Sequence, residues 1–213
     1  SGIYGELKQE DNQLTSLEAA FDQKLLDKEN EYVALYQLLM RADAPYKADK
    51  VMEYGINGEF VKDNEKHLKM LAQGWHLAQE LETAETIYEK AAEKSDEGEL
   101  YVFLGQIYLA TDRYNLAMDT LKLGLKKGKL KDPVTVNILL GQVSYEMQNF
   151  EDATKFFRTA LDRLADLKIK DKKLLEKRQD KLRSQALTWL TYTEKEAKRV
   201  KTLELRRKDL ESS

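Results

Sequence analysis

Few residues in this sequence are of types that do chemistry. The 213 residues hold two histidines and no cysteine. Disulfides, a thiolate nucleophile and any cysteine-held zinc or iron–sulfur centre are therefore excluded. His67 and His76 stand nine positions apart, about 900° around a helix of ~3.6 residues per turn and hence on opposite faces. They cannot ligate one metal together, and no HExxH pattern surrounds them. His67 reads as a surface residue near a helix start. Serines are few and none occupies a nucleophile elbow. Gly55, Gly58, Gly124 and Gly128 punctuate helix ends rather than form a phosphate loop. Glu80, Glu82, Glu85 and Glu89 form a solvated helical face, not a buried acid–base pair. The expectation is a chain that is not an enzyme, with no cofactor, no metal and no small-molecule substrate.

Composition agrees with a helical scaffold. Two prolines and ten glycines among 213 residues leave little turn material for an all-β fold. The longest uncharged runs fall far short of the ~20 residues a membrane helix needs. The net charge of −3 conceals a division: residues 155–213 carry 18 Lys/Arg and 10 Asp/Glu, whereas the first 154 carry 17 and 28. A body at net −11 opposes nucleic-acid binding along its length. Acids interspersed through the basic tail mark a solvated helix.

The positioning elements emerge from an internal period. Residues 32–55, 68–91, 101–124 and 137–160 align without gaps, and in each a leucine precedes an alanine by 13 positions. The pairs are Leu35/Ala48, Leu71/Ala84, Leu104/Ala117 and Leu140/Ala153. Ala72, Gly105 and Gly141 follow their leucines, with Tyr36 the exception. Apolar spacing of three and four within each unit is helical. Thr111-Asp112-Arg113 and Gln148-Asn149 fall where an inter-helix turn belongs. Gly141 is expected at a close helix crossing, and Pro133 in the turn between two units.

This pattern resembles the tetratricopeptide repeat, W-x2-L-G-x2-Y followed by A-x3-F. The best match is Tyr101, Leu104, Gly105, Tyr108, Ala117 and Leu121. The resemblance implies an all-α fold, an α-solenoid of helix-turn-helix repeats. Its expected organisation is an array over residues 1–163: a partial unit 1–28, with Tyr4, Leu17 and Ala20 in register, then repeats at about 29–64, 65–97, 98–133 and 134–163. A charged helical connector over 164–182, a capping helix over 183–197 and a basic helical tail over 198–213 complete it.

A narrower likeness rests on Ala44-Pro45-Tyr46-Lys47-Ala48, the stretches 71–80 and 91–101, Lys126-Lys127-Gly128-Lys129-Leu130 and the stretch 186–192. These resemble tetratricopeptide proteins encoded beside TonB-type energy-transduction systems. That resemblance implies a periplasmic, non-enzymatic accessory of such a complex.

Two residues after each motif leucine stands a glutamine: Gln37, Gln73, Gln106 and Gln142. Four positions before them lie Val33, Lys69, Val102 and Ile138, and three after lie Met40, His76, Leu109 and Tyr145. The spacing i, i+4, i+7 places each trio on one helical stripe. In tetratricopeptide repeats this offset faces the concave surface. The expected site is thus an amide ladder between apolar rows, suited to a peptide or helix from a protein partner. The alternative is that the glutamines cap neighbouring backbone or bond one another and the apolar rows pack under the terminal helix. Lys69 and Gln73 imitate a carboxylate grip, but Phe103, Thr135 and Leu139 do not continue it.

After Gly141 neither Gly nor Pro occurs. Leu175, Leu182, Ala186, Trp189, Thr193, Val200 and Leu203 recur mostly at steps of three, four or seven, the pattern of a seam. Self-association through this C-terminal helix is the second functional expectation.

Overall fold

The computed structural model describes residues 2–211, with side chains from residue 9; Tyr4, expected in register, lies outside the described side chains. Among these residues are ten α-helices, one 3-10 turn and no strand. The chain divides between Ser95 and Asp96 into two compact units.

The first unit contains α1 (Gly2–Asp22), α2 (Glu29–Arg41), α3 (Pro45–Asn57), α4 (Glu65–Leu77) and α5 (Leu81–Glu93). The closest packing is within the pairs α2/α3 and α4/α5, with α3 joining them through α4. The motif leucines and alanines at 35, 48, 71 and 84 are all buried. Tyr36, the exception at the small site, is buried and reaches the next pair: its hydroxyl donates to the Met70 carbonyl on α4. An aromatic cluster closes the unit's other end. Tyr32 stacks on Phe60 at 5.4 Å, Phe21 meets Tyr54 edge-on at 5.5 Å, and the Tyr32 hydroxyl donates to Leu26 O.

His67 overturns its expected surface position. It is buried, and its Nδ1 lies 2.9 Å from the Lys62 carbonyl. The cause is the preceding loop, which folds back so that Asn64 Oδ1 caps α4 at the His67 amide, 3.0 Å away.

The second unit contains α6 (Glu99–Ala110), α7 (Tyr114–Lys127), α8 (Pro133–Glu146), α9 (Phe150–Asp162), the 3-10 turn Arg163–Asp166 and α10 (Lys172–Glu211). The small residues sit where two helices cross. A Cβ on Gly105 would lie 2.5 Å from Leu121, and one on Gly141 2.5 Å from the Phe157 ring. Gly98 is tighter still, its absent Cβ position 2.1 Å from the Gly124 carbonyl. Pro133 opens α8 at its first position, where a missing N–H costs nothing.

The sequence period reappears in the backbone. Asp43, Gln79, Asp112 and Gln148, one in each turn within a pair, all have φ between 56° and 63°. Their spacing of 36, 33 and 36 is that of the motif leucines.

The segments expected as connector, cap and tail form one helix, α10, from Lys172 onward; the first part of the connector, 164–171, is instead the end of the 3-10 turn and a loop. Its start is fixed by Asp171, whose Oδ1 accepts the Leu174 amide at 2.8 Å. With no Gly or Pro to break it, the helix continues to Glu211. Leu182 and Ala186 are buried against α8 and α9, in a cluster with Ile138, Phe157 and Ala160. Arg178 pins the helix to the start of α8, donating to Asp132 Oδ2 at 2.6 Å and Thr135 Oγ1 at 3.2 Å. From Lys201 to Glu211 every side chain is exposed.

Candidate functional site

The glutamine stripes are distributed over both units. In the first, α2 presents an exposed Gln37 between half-buried Val33 and Met40, and α4 presents half-buried Lys69, Gln73 and His76. In the second, α6 carries Val102, Gln106 and Leu109, and α8 carries Ile138, Gln142 and Tyr145. None of the four glutamines makes a side-chain hydrogen bond within the described residues. Their amides do not cap backbone or pair with each other. Half-exposed, they keep their donors and acceptors for solvent or for an incoming chain.

His76 rests edge-on against buried Tyr88, ring centres 6.3 Å apart. Burial alone pushes its pKa below the usual histidine range, so the imidazole is neutral at pH 7. A neutral ring offers one donor and one acceptor rather than a charge.

Two of the apolar positions do not serve a partner. Val102 and Ile138 are buried, Ile138 at 1% exposure within the cluster that α10 covers. Tyr145 is also engaged: its ring meets Trp189 of α10 at 5.5 Å and Phe150 at 5.7 Å. At the last helix pair the apolar row therefore packs under the terminal helix, because Trp189 supplies the cover. The polar member, Gln142, stays half-buried.

Two features went unread in the sequence. One is Asp49, fully buried with neither carboxylate oxygen hydrogen-bonded; the Trp75 indole Nε1 is likewise unpaired. Its signal was present: Gly74 stands where the other repeats have Leu38, Ile107 and Val143, and the vacated volume admits a side chain. Burial, then the neighbouring Glu53, raises the Asp49 pKa to about 8, with Lys50 opposing. The other is a cleft of ≈ 280 Å³ between α1 and α3, floored by Leu35, Leu39 and Val51.

Comparison with known proteins bears on the fold. The tetratricopeptide repeat family matches residues 98–126. A crystal structure of MamA is similar at a TM-score of 0.65 and 12% identity, over 76% of this chain and 92% of that one. The segment of MamA from residue 41 to its end, from Desulfovibrio magneticus RS-1, gives 0.57 and 17%, over 82% and 97%. The C-terminal part of a TPR repeat-containing protein from Cytophaga hutchinsonii gives 0.59 and 14%, over 74% and 60%. No curated protein matches the sequence. At these identities the likeness is one of fold: an all-α solenoid of tetratricopeptide repeats.

Proposed function

We propose that the chain is a non-enzymatic protein-interaction scaffold that holds a peptide or helix of its partner along the first helices of its repeats. The observation that carries this reading is the set of unbonded glutamine amides at one repeated offset, Gln37, Gln73, Gln106 and Gln142. Side-chain amides that recur on α2 and α4 of the first unit, and again on α6 and α8 of the second, suit a backbone that presents donors and acceptors in turn. Met40, Lys69, His76 and Leu109, all half-buried, would take its side chains.

The test is capture of a partner by the full chain, then titration of the identified partner against a triple variant, Gln73→Glu, Gln106→Glu and Gln142→Glu. A loss of tenfold or more in affinity is expected, with an unchanged melting temperature. Unchanged affinity moves the site off these helices. The resemblance to TonB-associated proteins directs the search to a periplasmic extract and proposes an accessory role beside such a complex.

A second reading is self-association through α10. It is favoured by three exposed leucines on its end, Leu203, Leu205 and Leu210.

A further inference from the structure

The first unit carries an apolar trough with an acidic rim. Its floor is the cleft between α1 and α3, where Leu35, Leu39 and Val51 lie beneath walls that include Phe21 and Tyr46. Phe21 links this cleft to an aromatic patch, touching Tyr54, which is 42% exposed, while Phe60 at 39% stacks on their common neighbour Tyr32. Isolated exposed apolar residues need no explanation, whereas here a cleft of ≈ 280 Å³, with room for an apolar side chain above a closed floor, lies beside the exposed rings of Tyr46, Tyr54 and Phe60.

The rim has a sign. Between residues 9 and 22, α1 carries Glu10, Asp11, Glu18 and Asp22 and no Lys or Arg. The two lysines on the α3 wall are engaged, and they engage acids in turn: Lys47 with Glu18 at 3.2 Å and Lys50 with Glu53 at 3.0 Å. Arg41 of α2 lies 3.6 Å from Glu10, which leaves Asp22 as the lining carboxylate without an ion pair among the described residues. Over the whole unit, 11 Lys/Arg stand against 19 Asp/Glu, a net of −8.

One segment of the same chain has the opposite character. Residues 198–211 hold six Lys/Arg and three Asp/Glu, a net of +3. On α10, Arg199, Leu203, Arg206 and Leu210 follow one another at i, i+4, i+7 and i+11, which is a single stripe. Leu203 and Leu210 are 48% and 80% exposed, and about 10 Å separates them along the axis. A stripe of leucines framed by arginines complements an apolar trough framed by carboxylates.

We propose that the α10 end of one copy docks in the α1/α3 trough of a second copy, the contact named here deepening the self-association reading above. Tail and trough are different surfaces, so the contact is heterologous. Each copy that donates a tail still offers a trough, so two copies can close by reciprocal exchange or the association can continue into rings or open chains. Pairing of two α10 ends with each other is disfavoured in the antiparallel sense. With Leu203 and Leu210 in the seam, Arg199 and Arg206 flank it on one side and Glu204 and Glu211 on the other, so like charges would meet.

The test is sedimentation velocity of the full chain over a concentration series at low and high salt, with two variants. One reverses the tail by Arg206→Glu and Lys208→Glu, on exposed side chains; the other reverses the rim by Glu18→Lys and Asp22→Lys, both of which line the trough. Both should keep the wild-type helical circular dichroism. The wild type is expected to grow beyond a monomer with concentration, and the growth to be suppressed by salt. Each variant alone should lose that growth, and an equimolar mixture of the two should regain a complex, because each retains the half the other lacks. A wild type that stays monomeric at all concentrations overturns self-association altogether. Association that survives the rim variant but not the tail variant overturns the trough as the receiving surface and leaves the tail as the contact.

Discussion

The carboxylate of Asp49 on α3 occupies the volume that Gly74 on α4 leaves empty: a Cβ on Gly74 would fall 1.9 Å from Asp49 Oδ1. A charged group in so closed a site is expensive without hydrogen bonds, and it responds by holding its proton. The groups around it offer no cation strong enough to reverse this. Tyr36 from α2 and Tyr88 from α5 face it as neutral hydroxyls, Glu53 on its own helix adds repulsion, and Lys50 is the single opposing charge.

The first prediction follows from that proton. In the unfolded chain Asp49 ionises near 3.8, and in the fold near 8. Between those values the folded state holds a proton that the unfolded state has released. Stability is therefore full below the lower value, falls as pH rises by up to ~1.4 kcal/mol per unit, and levels off above the upper one. Asp49→Asn should remove this fall. Melting temperatures measured from pH 4 to 9 should decline for the wild type and be nearly flat for the variant through the same window. Parallel curves would show that Asp49 is ionised in the fold.

A second prediction tests the packing of the same pair. Gly74→Ala should lower stability by roughly 1–3 kcal/mol through overpacking. With Asp49→Ala in place the added methyl has space, so the double variant should recover much of the loss. Denaturant titration of the four members of the cycle measures the coupling; additive effects would separate the two residues.

The third concerns the crossing of α8 and α9. Gly141→Leu drives a side chain into the Phe157 ring, whose atoms lie 2.5–2.7 Å from the absent Cβ. A loss of about 1–3 kcal/mol or more is expected, read as a lower melting temperature. Pro133→Ala, at the first position of α8, should change little.

The fourth separates the two halves of α10. Truncation after Ala197 removes a segment whose side chains beyond Val200 are exposed, and should leave the melting temperature within about a degree or two. Trp189→Ala strips a ring stacked 6.1 Å from Phe157 and 5.5 Å from Tyr145, at a cost of about 3 kcal/mol. Thermal unfolding of both variants checks the pair; unfolding caused by the truncation alone would place the end of α10 in the core.

What the sequence made legible was whatever repeats. Leu35 and Ala48, Leu104 and Ala117 are buried partners, and Gly105 and Gly141 lie at crossings, because stacking demands the same small and large volumes in every unit. The departures from the repeat were harder to read. His67 looked exposed because nothing in its own helix says that the Lys62–Asn64 loop will fold over it. Asp49 is an acidic residue following a repeat alanine, unremarkable until Gly74 is seen opposite. Of the candidate site, the four glutamines lie on the first helix of each pair, α2, α4, α6 and α8. Ile138 and Tyr145 were lost to Trp189, since helix periodicity gives the face of a residue but not which later helix will cover it.

The four left-handed turn residues, Asp43, Gln79, Asp112 and Gln148, make the array a store of unclaimed stability. None of them is a glycine, the residue that accepts this backbone at least cost, and the two glutamines bear it less easily than the two aspartates. Each sits in a separate turn more than 30 residues from the next, so relief at one is independent of relief at another and the gains should add. The natural chain thus stands below the stability its own backbone permits. The shortfall is shared among the repeats, which lets each hairpin be tightened without touching the helix faces that carry the glutamines.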